Sequence, residues 1–174
     1  MFPESDRMKF RELTPEDAEA MYLLNADPLV VQYTGDEAFE SVNVAQTFLE
    51  NYSDYARNGI GRWALIRKSD LQIIGWCGLK LRADGQIDLG YRLYQRFWNH
   101  GYATEAAKAC LDYGFKVKQF NVIIAEADVR NTASLRVINK LGFTFRASSK
   151  NHGAQETHVF EIDRERYLAH SIQA

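Results

Sequence analysis

Residues 95–106 read Gln-Arg-Phe-Trp-Asn-His-Gly-Tyr-Ala-Thr-Glu-Ala, and this run decides how the chain is organised. Before it, residues 87–94 alternate as a half-buried strand does, with Ile87, Leu89, Tyr91 and Leu93 on one face and Asp88, Gly90, Arg92 and Tyr94 on the other. After it, Ala103, Ala106, Ala107, Cys110, Leu111 and Gly114 recur at helical spacing and predict a helix ending near Lys118. A strand therefore runs into a short loop and then into a helix that opens on small residues. The first N–H groups of such a helix have no intrahelical acceptor and stand at the positive end of its dipole. Gly101 lets a ligand approach the backbone closely, and Ala103 and Thr104 keep the entrance narrow. This is how a backbone cradle for phosphate or pyrophosphate is built. The run is neither a P-loop, which needs Gly-Lys-Ser/Thr, nor a G-x-G-x-x-G dinucleotide fingerprint. On spacing alone, an anion site and an ordinary helix start both stay open.

Further along, Val122–Ala125 is a short apolar strand, central to a sheet. Asn131 or Thr132 caps a helix that runs through Leu141 and stops at Gly142. Ser134 lies in its first turn on the face of Ile138 and Leu141, so its hydroxyl points toward the sheet or toward a cleft at the sheet's end. The alternative is that Asn131 and Ser134 only satisfy helix-start donors. Two late strands follow at 143–147 and 157–162, joined by a loop holding Asn151, His152 and Gly153. Toward the N-terminus, Trp63–Ile66 and Gln72–Leu81 form two strands of a meander, with turns at Ser69-Asp70 and Ala83-Asp84-Gly85. A helix is predicted over 42–57, with Val44, Phe48, Tyr52 and Tyr55 along one side. Another opens at Thr14-Pro15 and stops before Asp27-Pro28, preceded by an edge strand at Phe10–Leu13. The order is strand, two helices, three strands, helix, strand, helix, two strands: a single α+β domain around one mixed sheet.

The 174 residues are 46% hydrophobic and 25% charged, at the scale of one soluble domain. No apolar run of about 18 residues occurs, so no membrane helix is expected, and the first seven residues lack the apolar core of a secretory signal. Cys77 and Cys110 form neither a disulfide framework nor a zinc knuckle and read as buried thiols of a cytoplasmic protein. His152 and His158 lack metal-ligand spacing, so no metal is expected. A net charge of -2 argues against nucleic acid. That average hides a division: residues 1–60 carry -8 and residues 61–174 carry +6, which suggests that the two parts face different things.

Taken together, Leu-Gly-Tyr-Arg-Leu at 89–93, Phe-Trp-Asn-His-Gly-Tyr-Ala-Thr-Glu-Ala at 97–106 and Asn-Thr-Ala-Ser-Leu-Arg-Val-Ile-Asn-Lys-Leu-Gly-Phe at 131–143 resemble the GNAT superfamily of acetyl-CoA-dependent N-acetyltransferases. The chain is most similar to the branch containing the ribosomal-protein N-terminal acetyltransferases, and the likeness spans nearly its whole length. It implies one GNAT domain over residues 1–174, with a mixed, mostly antiparallel sheet of about seven strands. The sheet would be splayed between its fourth and fifth strands and flanked by about four helices. The family's pyrophosphate loop, Gln/Arg-x-x-Gly-x-Gly/Ala, falls on Trp98, Asn99, His100, Gly101, Tyr102 and Ala103, with Thr104 following. Trp98 departs from the general Gln/Arg, and Asn99 stands where the branch often has Gly. Leu93 would pair its backbone with the pantetheine arm of acetyl-CoA, and Asn131 would hydrogen-bond that arm or a water. Ser134 matches the position whose hydroxyl lies near the thioester sulfur.

The implied chemistry is direct attack of a neutral amine on the thioester. It needs a base for the ammonium, a donor for the carbonyl and a donor for the departing thiolate. Backbone N–H near Leu93 would serve the carbonyl, Ser134 the thiolate, and Asp88 the ammonium through water, with Glu126 an alternative carboxylate; Asp88 also reads as a solvated sheet residue. Tyr22, Tyr33, Tyr52, Tyr55 and Trp76 either line an acceptor pocket or belong to the core. The acceptor would be a protein N-terminus or a small-molecule amine; a homodimer stays open, and neither nucleic acid nor membrane is a partner. The alternative function is a catalytically silent acyl-CoA-binding module.

Overall fold

In a computed structural model, which describes residues 1–151 and 155–171, seven strands form one sheet. The elements in chain order are β1 (Met8–Arg11), α1 (Ala18–Ala26), α2 (Pro28–Val31), α3 (Val42–Glu50), α4 (Asp54–Asn58), β2 (Arg62–Arg67), β3 (Ile73–Leu81), β4 (Ile87–Leu93), α5 (Tyr102–Asp112), β5 (Val122–Asp128), α6 (Thr132–Lys140), β6 (Thr144–Asn151), β7 (Gln155–Asp163) and α7 (Arg164–Ser171). The sheet order is β1-β2-β3-β4-β5-β7-β6. All neighbours are antiparallel except β4 and β5, which run parallel and share a single register pair, Asp88 with Ile124. The fold is the α+β arrangement that the sequence implied, splayed after that pair.

The two faces of the sheet are covered by different helices. On one, Cys77, Leu79, Leu89 and Leu93 bury against Ala106, Ala107, Cys110 and Leu111 of α5, whose small residues let helix and sheet approach closely. On the other, Ala18, Met21, Leu24, Ala45 and Leu49 of α1 and α3 pack toward Ile73, Trp76 and Tyr94. The alternation read along 87–94 holds. Arg92 reaches Asn25 Oδ1 at 2.5 Å, and the Tyr94 hydroxyl donates to the Ala20 carbonyl, both on α1.

Two expectations are corrected, over 42–57 and at the C-terminal end. The helix foreseen over 42–57 is two helices, α3 and α4. The first ends at Asn51, whose backbone N–H and side-chain amide both donate to the Thr47 carbonyl, at 3.2 and 2.8 Å, so the side chain caps the last turn. Tyr52 and Tyr55, freed from one continuous helix face, tie down the start of β2. The Tyr52 hydroxyl accepts the Arg62 N–H at 2.9 Å, and the Tyr55 hydroxyl accepts the Leu13 N–H at 3.0 Å and donates to the Arg62 carbonyl. Helix α5 keeps α geometry to Asp112 and continues in wider turns over Tyr113–Val117, so the helical run ends next to Lys118, as expected. Last, α7 follows β7. Its start is signalled by Asp163, whose carboxylate accepts the Arg166 N–H at 2.8 Å, and Tyr167 anchors it to Phe115. The hairpin of β6 and β7 is longer than foreseen, and His152 and Gly153 of its connection lie outside the described residues.

Candidate active site

The loop at 98–104 carries the chain from β4 into α5. Glu105 is the first residue of α5 whose N–H finds a helical acceptor, the Gly101 carbonyl at 3.1 Å. The N–H groups of residues 101–104 therefore lack intrahelical partners, as at any helix start. Gly101 is left-handed, at φ +80°, and so is Asn99, at φ +62°. Asn is among the few residues that tolerate this region. The loop is pinned by side chains. Trp98 donates its indole N–H to the Leu93 carbonyl at 2.8 Å, and His100 Nδ1 lies 2.6 Å from the Trp98 carbonyl.

Arg7 completes this corner, and no local pattern in the sequence announces it. Its guanidinium donates to Glu105 at 2.6 Å and to the His100 carbonyl at 3.0 Å, and lies 4.3 Å from the centre of the Tyr102 ring. Burial pushes the Glu105 carboxyl up, but the Arg7 N–H, the Ser5 hydroxyl and the Arg7 guanidinium pull it down by more, so its pKa lies below the ordinary value. The loop's shape thus depends on contacts 93 to 98 positions away in the chain.

The splay beside the loop follows from register. Tyr94 N–H donates to the Ile74 carbonyl at 3.1 Å, so residues 94, 92, 90 and 88 turn their backbone groups toward β3. The alternate residues turn theirs the other way; Leu89 flanks the pair with Ile124, and past it, at Tyr91 and Leu93, β5 has left the ladder. Leu93 does not offer both groups: its carbonyl accepts from Trp98, which leaves its N–H as the donor at that point.

Across the opening, Asn131 and Ser134 come together at the start of α6. The Asn131 side-chain oxygen accepts the Ser134 N–H at 3.0 Å, so Asn131 caps the helix and its amide nitrogen is the group left for a ligand. The Ser134 hydroxyl makes no cap. It lies 2.8 Å from the hydroxyl of Tyr91 on β4, so this pair spans the opening between the diverging strands. Burial, opposed by the Ser134 contact, pushes the Tyr91 phenol up to about 12.

Asp88 is not brought to that pair. It projects from the other face of β4, where Arg62 forms an ion pair with its carboxylate and donates to its carbonyl at 3.0 Å. Gly90 makes the path: a Cβ there would stand 2.7 Å from the Arg62 guanidinium carbon. Glu126 accepts from Arg82 at 2.9 Å and from the Thr157 hydroxyl at 2.6 Å, so both candidate carboxylates have partners. On the Asp88 face, a cleft of about 290 Å³ is lined by Asp36, Glu37, Phe39, Tyr52, Trp76 and Arg92 among others. Tyr52 and Trp76 belong to it; Tyr22, Tyr33 and Tyr55 do not line it. Arg92 is paired there with Asp36 and lies 5.3 Å from the centre of the Trp76 ring. Among the described residues, no group of three or more His, Cys, Asp or Glu is placed to hold a metal ion, and no helix is long and apolar enough to cross a membrane.

Known proteins share this fold. The uncharacterised N-acetyltransferase YoaA of Bacillus subtilis is 33% identical over 151 residues, covering 82% of this chain and 84% of that one. An acetyltransferase of the GNAT family from Bacillus anthracis superposes with a TM-score of 0.81 at 25% identity, covering 95% of this chain and 99% of that one. The spermidine N-acetyltransferase of Vibrio cholerae, solved in complex with CoA and spermine, has the same fold, with a TM-score of 0.79 at 18% identity over 93% of this chain and 98% of that one. The acetyltransferase (GNAT) domain family matches residues 7–144, a span that takes in the loop at 98–104, the splay and the start of α6. Sequence, fold and site geometry thus converge, and the chain belongs to the GNAT N-acetyltransferase family.

Proposed function

We propose that the protein moves the acetyl group of acetyl-CoA to a primary amine by direct attack in a ternary complex. One observation carries this reading. The N–H groups at the start of α5, the bare edge of β4 and the Ser134 hydroxyl all border one opening in the sheet. These residues fit acetyl-CoA: a diphosphate on the N–H groups of residues 101–104, flanked by Trp98, Asn99 and His100, and a pantetheine arm beside Leu93 and the Asn131 amide. Bound there, acetyl-CoA supplies the thioester. The Leu93 N–H polarises its carbonyl, and Ser134 hydrogen-bonds the departing sulfur. Asp88, on the acceptor face of β4, orients the water that takes the ammonium proton. We read the chain as one such domain. Its place is the cytoplasm, supported by two buried thiols whose sulfurs lie 3.5 Å apart without a disulfide.

The acceptor is cationic in this reading and enters from the cleft of Glu37, Tyr52 and Trp76, which the acidic first 60 residues help to line. A polyamine in the spermidine enzyme of the same fold supports an amine of this class. Protein N-termini stay in the proposal through the resemblance of the sequence motifs to those of the ribosomal-protein branch. The basic remainder of the chain would face the polyanionic acetyl-CoA. Replacing Glu37 and Glu40 by glutamine is expected to raise KM for the amine several-fold, the scale of about 1 kcal/mol for one or two partly screened ion pairs. KM for acetyl-CoA should stay unchanged, and an equal rise in both would count against the division of charge. The function itself is tested by following CoA release with N-terminal peptides, diamines, amino acids and aminoglycosides as acceptors.

A further inference from the structure

We infer that Tyr91 is a positioning residue for the acetyl transfer: it donates to Ser134 Oγ and so fixes the direction of the serine hydrogen toward the departing sulfur. This rests on the role given to Ser134 above. The hydrogens available to the pair set the direction of the bond. The Tyr91 phenol carries one hydrogen, and two acceptors lie near it, Ser134 Oγ at 2.8 Å and the Ser134 carbonyl at 3.4 Å. Only the first is at the usual O–H to O separation. If Ser134 donated to Tyr91 instead, the phenol hydrogen would be left with the long contact. With Tyr91 donating, one lone pair of Ser134 Oγ is used and its own hydrogen is free to point into the opening.

The protonation state agrees with the geometry. The phenol is pushed up to about 12, so it keeps its hydrogen throughout the range in which an amine acetyltransferase works. The position also suits the role. Tyr91 is on β4 and Ser134 on the helix that follows β5, so the pair bridges the two arms of the splay at its sides. As the C–N bond forms and the C–S bond breaks, the electron pair stays on sulfur. The Ser134 hydrogen bond stabilises it there, and the hydrogen bond Ser134 receives from Tyr91 makes it a stronger donor. Tyr91 itself undergoes no covalent change.

The test is a double-mutant cycle of Tyr91→Phe and Ser134→Ala, read as kcat, as KM for both substrates and as melting temperature. Tyr91→Phe removes one oxygen and is expected to lower kcat about tenfold, the scale of one hydrogen bond, with both KM values and the melting temperature nearly unchanged. In the Ser134→Ala background the same change is expected to do nothing further. Wild-type kcat in Tyr91→Phe, alongside an impaired Ser134→Ala, would overturn the inference and leave the role of Ser134 standing. A tenfold loss that persists in the Ser134→Ala background would also overturn it, because Tyr91 would then act independently. If Ser134→Ala itself turned over at the wild-type rate, the role of Ser134 would fall first.

Discussion

Ser134→Ala is expected to lower turnover by about a hundredfold, the lower end of what a well-placed proton or hydrogen-bond donor contributes. The affinity for acetyl-CoA should stay near that of the wild type. The separation follows from what the side chain touches. The backbone N–H of Ser134 is held by Asn131, and its hydroxyl contacts Tyr91, not the helix start. Removing the hydroxyl therefore leaves the cap in place, and alanine favours helix over serine. The loss should appear in kcat, with melting temperature and acetyl-CoA binding as controls. Unchanged turnover would remove Ser134 from the chemistry.

Gly101→Arg is expected to remove acetyl-CoA binding, the second of the two large effects. At φ +80° a side chain costs about 1–2 kcal/mol from backbone sterics alone. A Cβ there would also stand 3.4 Å from the Arg7 guanidinium, so the new side chain must share the corner with a like charge. Its bulk occupies the approach to the N–H groups of residues 101–104. An arginine's charge would favour a diphosphate, so lost binding would report steric closure of the cradle and not its electrostatics. Titration calorimetry with acetyl-CoA reads this directly. Wild-type affinity would mean that the diphosphate binds elsewhere.

Both predictions concern residues that are legible in the sequence, because their signals are local. A strand of period two, then a glycine, then small residues at helical spacing fix the β4–α5 turn wherever they occur. Asn131 and Ser134 are likewise readable three positions apart as a helix start. What the sequence does not carry is the long-range part. Arg7 braces the loop from 98 positions away, and Arg62 crosses above Gly90 to Asp88, 26 positions on. The failure over 42–57 has the same origin. Val44, Phe48, Tyr52 and Tyr55 share a helical spacing, yet the last two are drawn to backbone groups of residues 13 and 62, which no periodicity within the segment reveals. Tyr91 is visible in sequence only as a strand residue. Its hydroxyl partner lies 43 positions later.

The central claim is that the opening beside β4 is a place of acetyl transfer and not only of acyl-CoA binding. The most direct measurement is release of free CoA from acetyl-CoA, with and without N-terminal peptides, diamines, amino acids and aminoglycosides, paired with mass analysis of the amine. Release that depends on the acceptor, with one acetyl group gained by the amine, is the predicted result. Tight binding of acetyl-CoA with no acceptor-dependent release across those four classes would contradict it and mark the protein as a silent acyl-CoA-binding module.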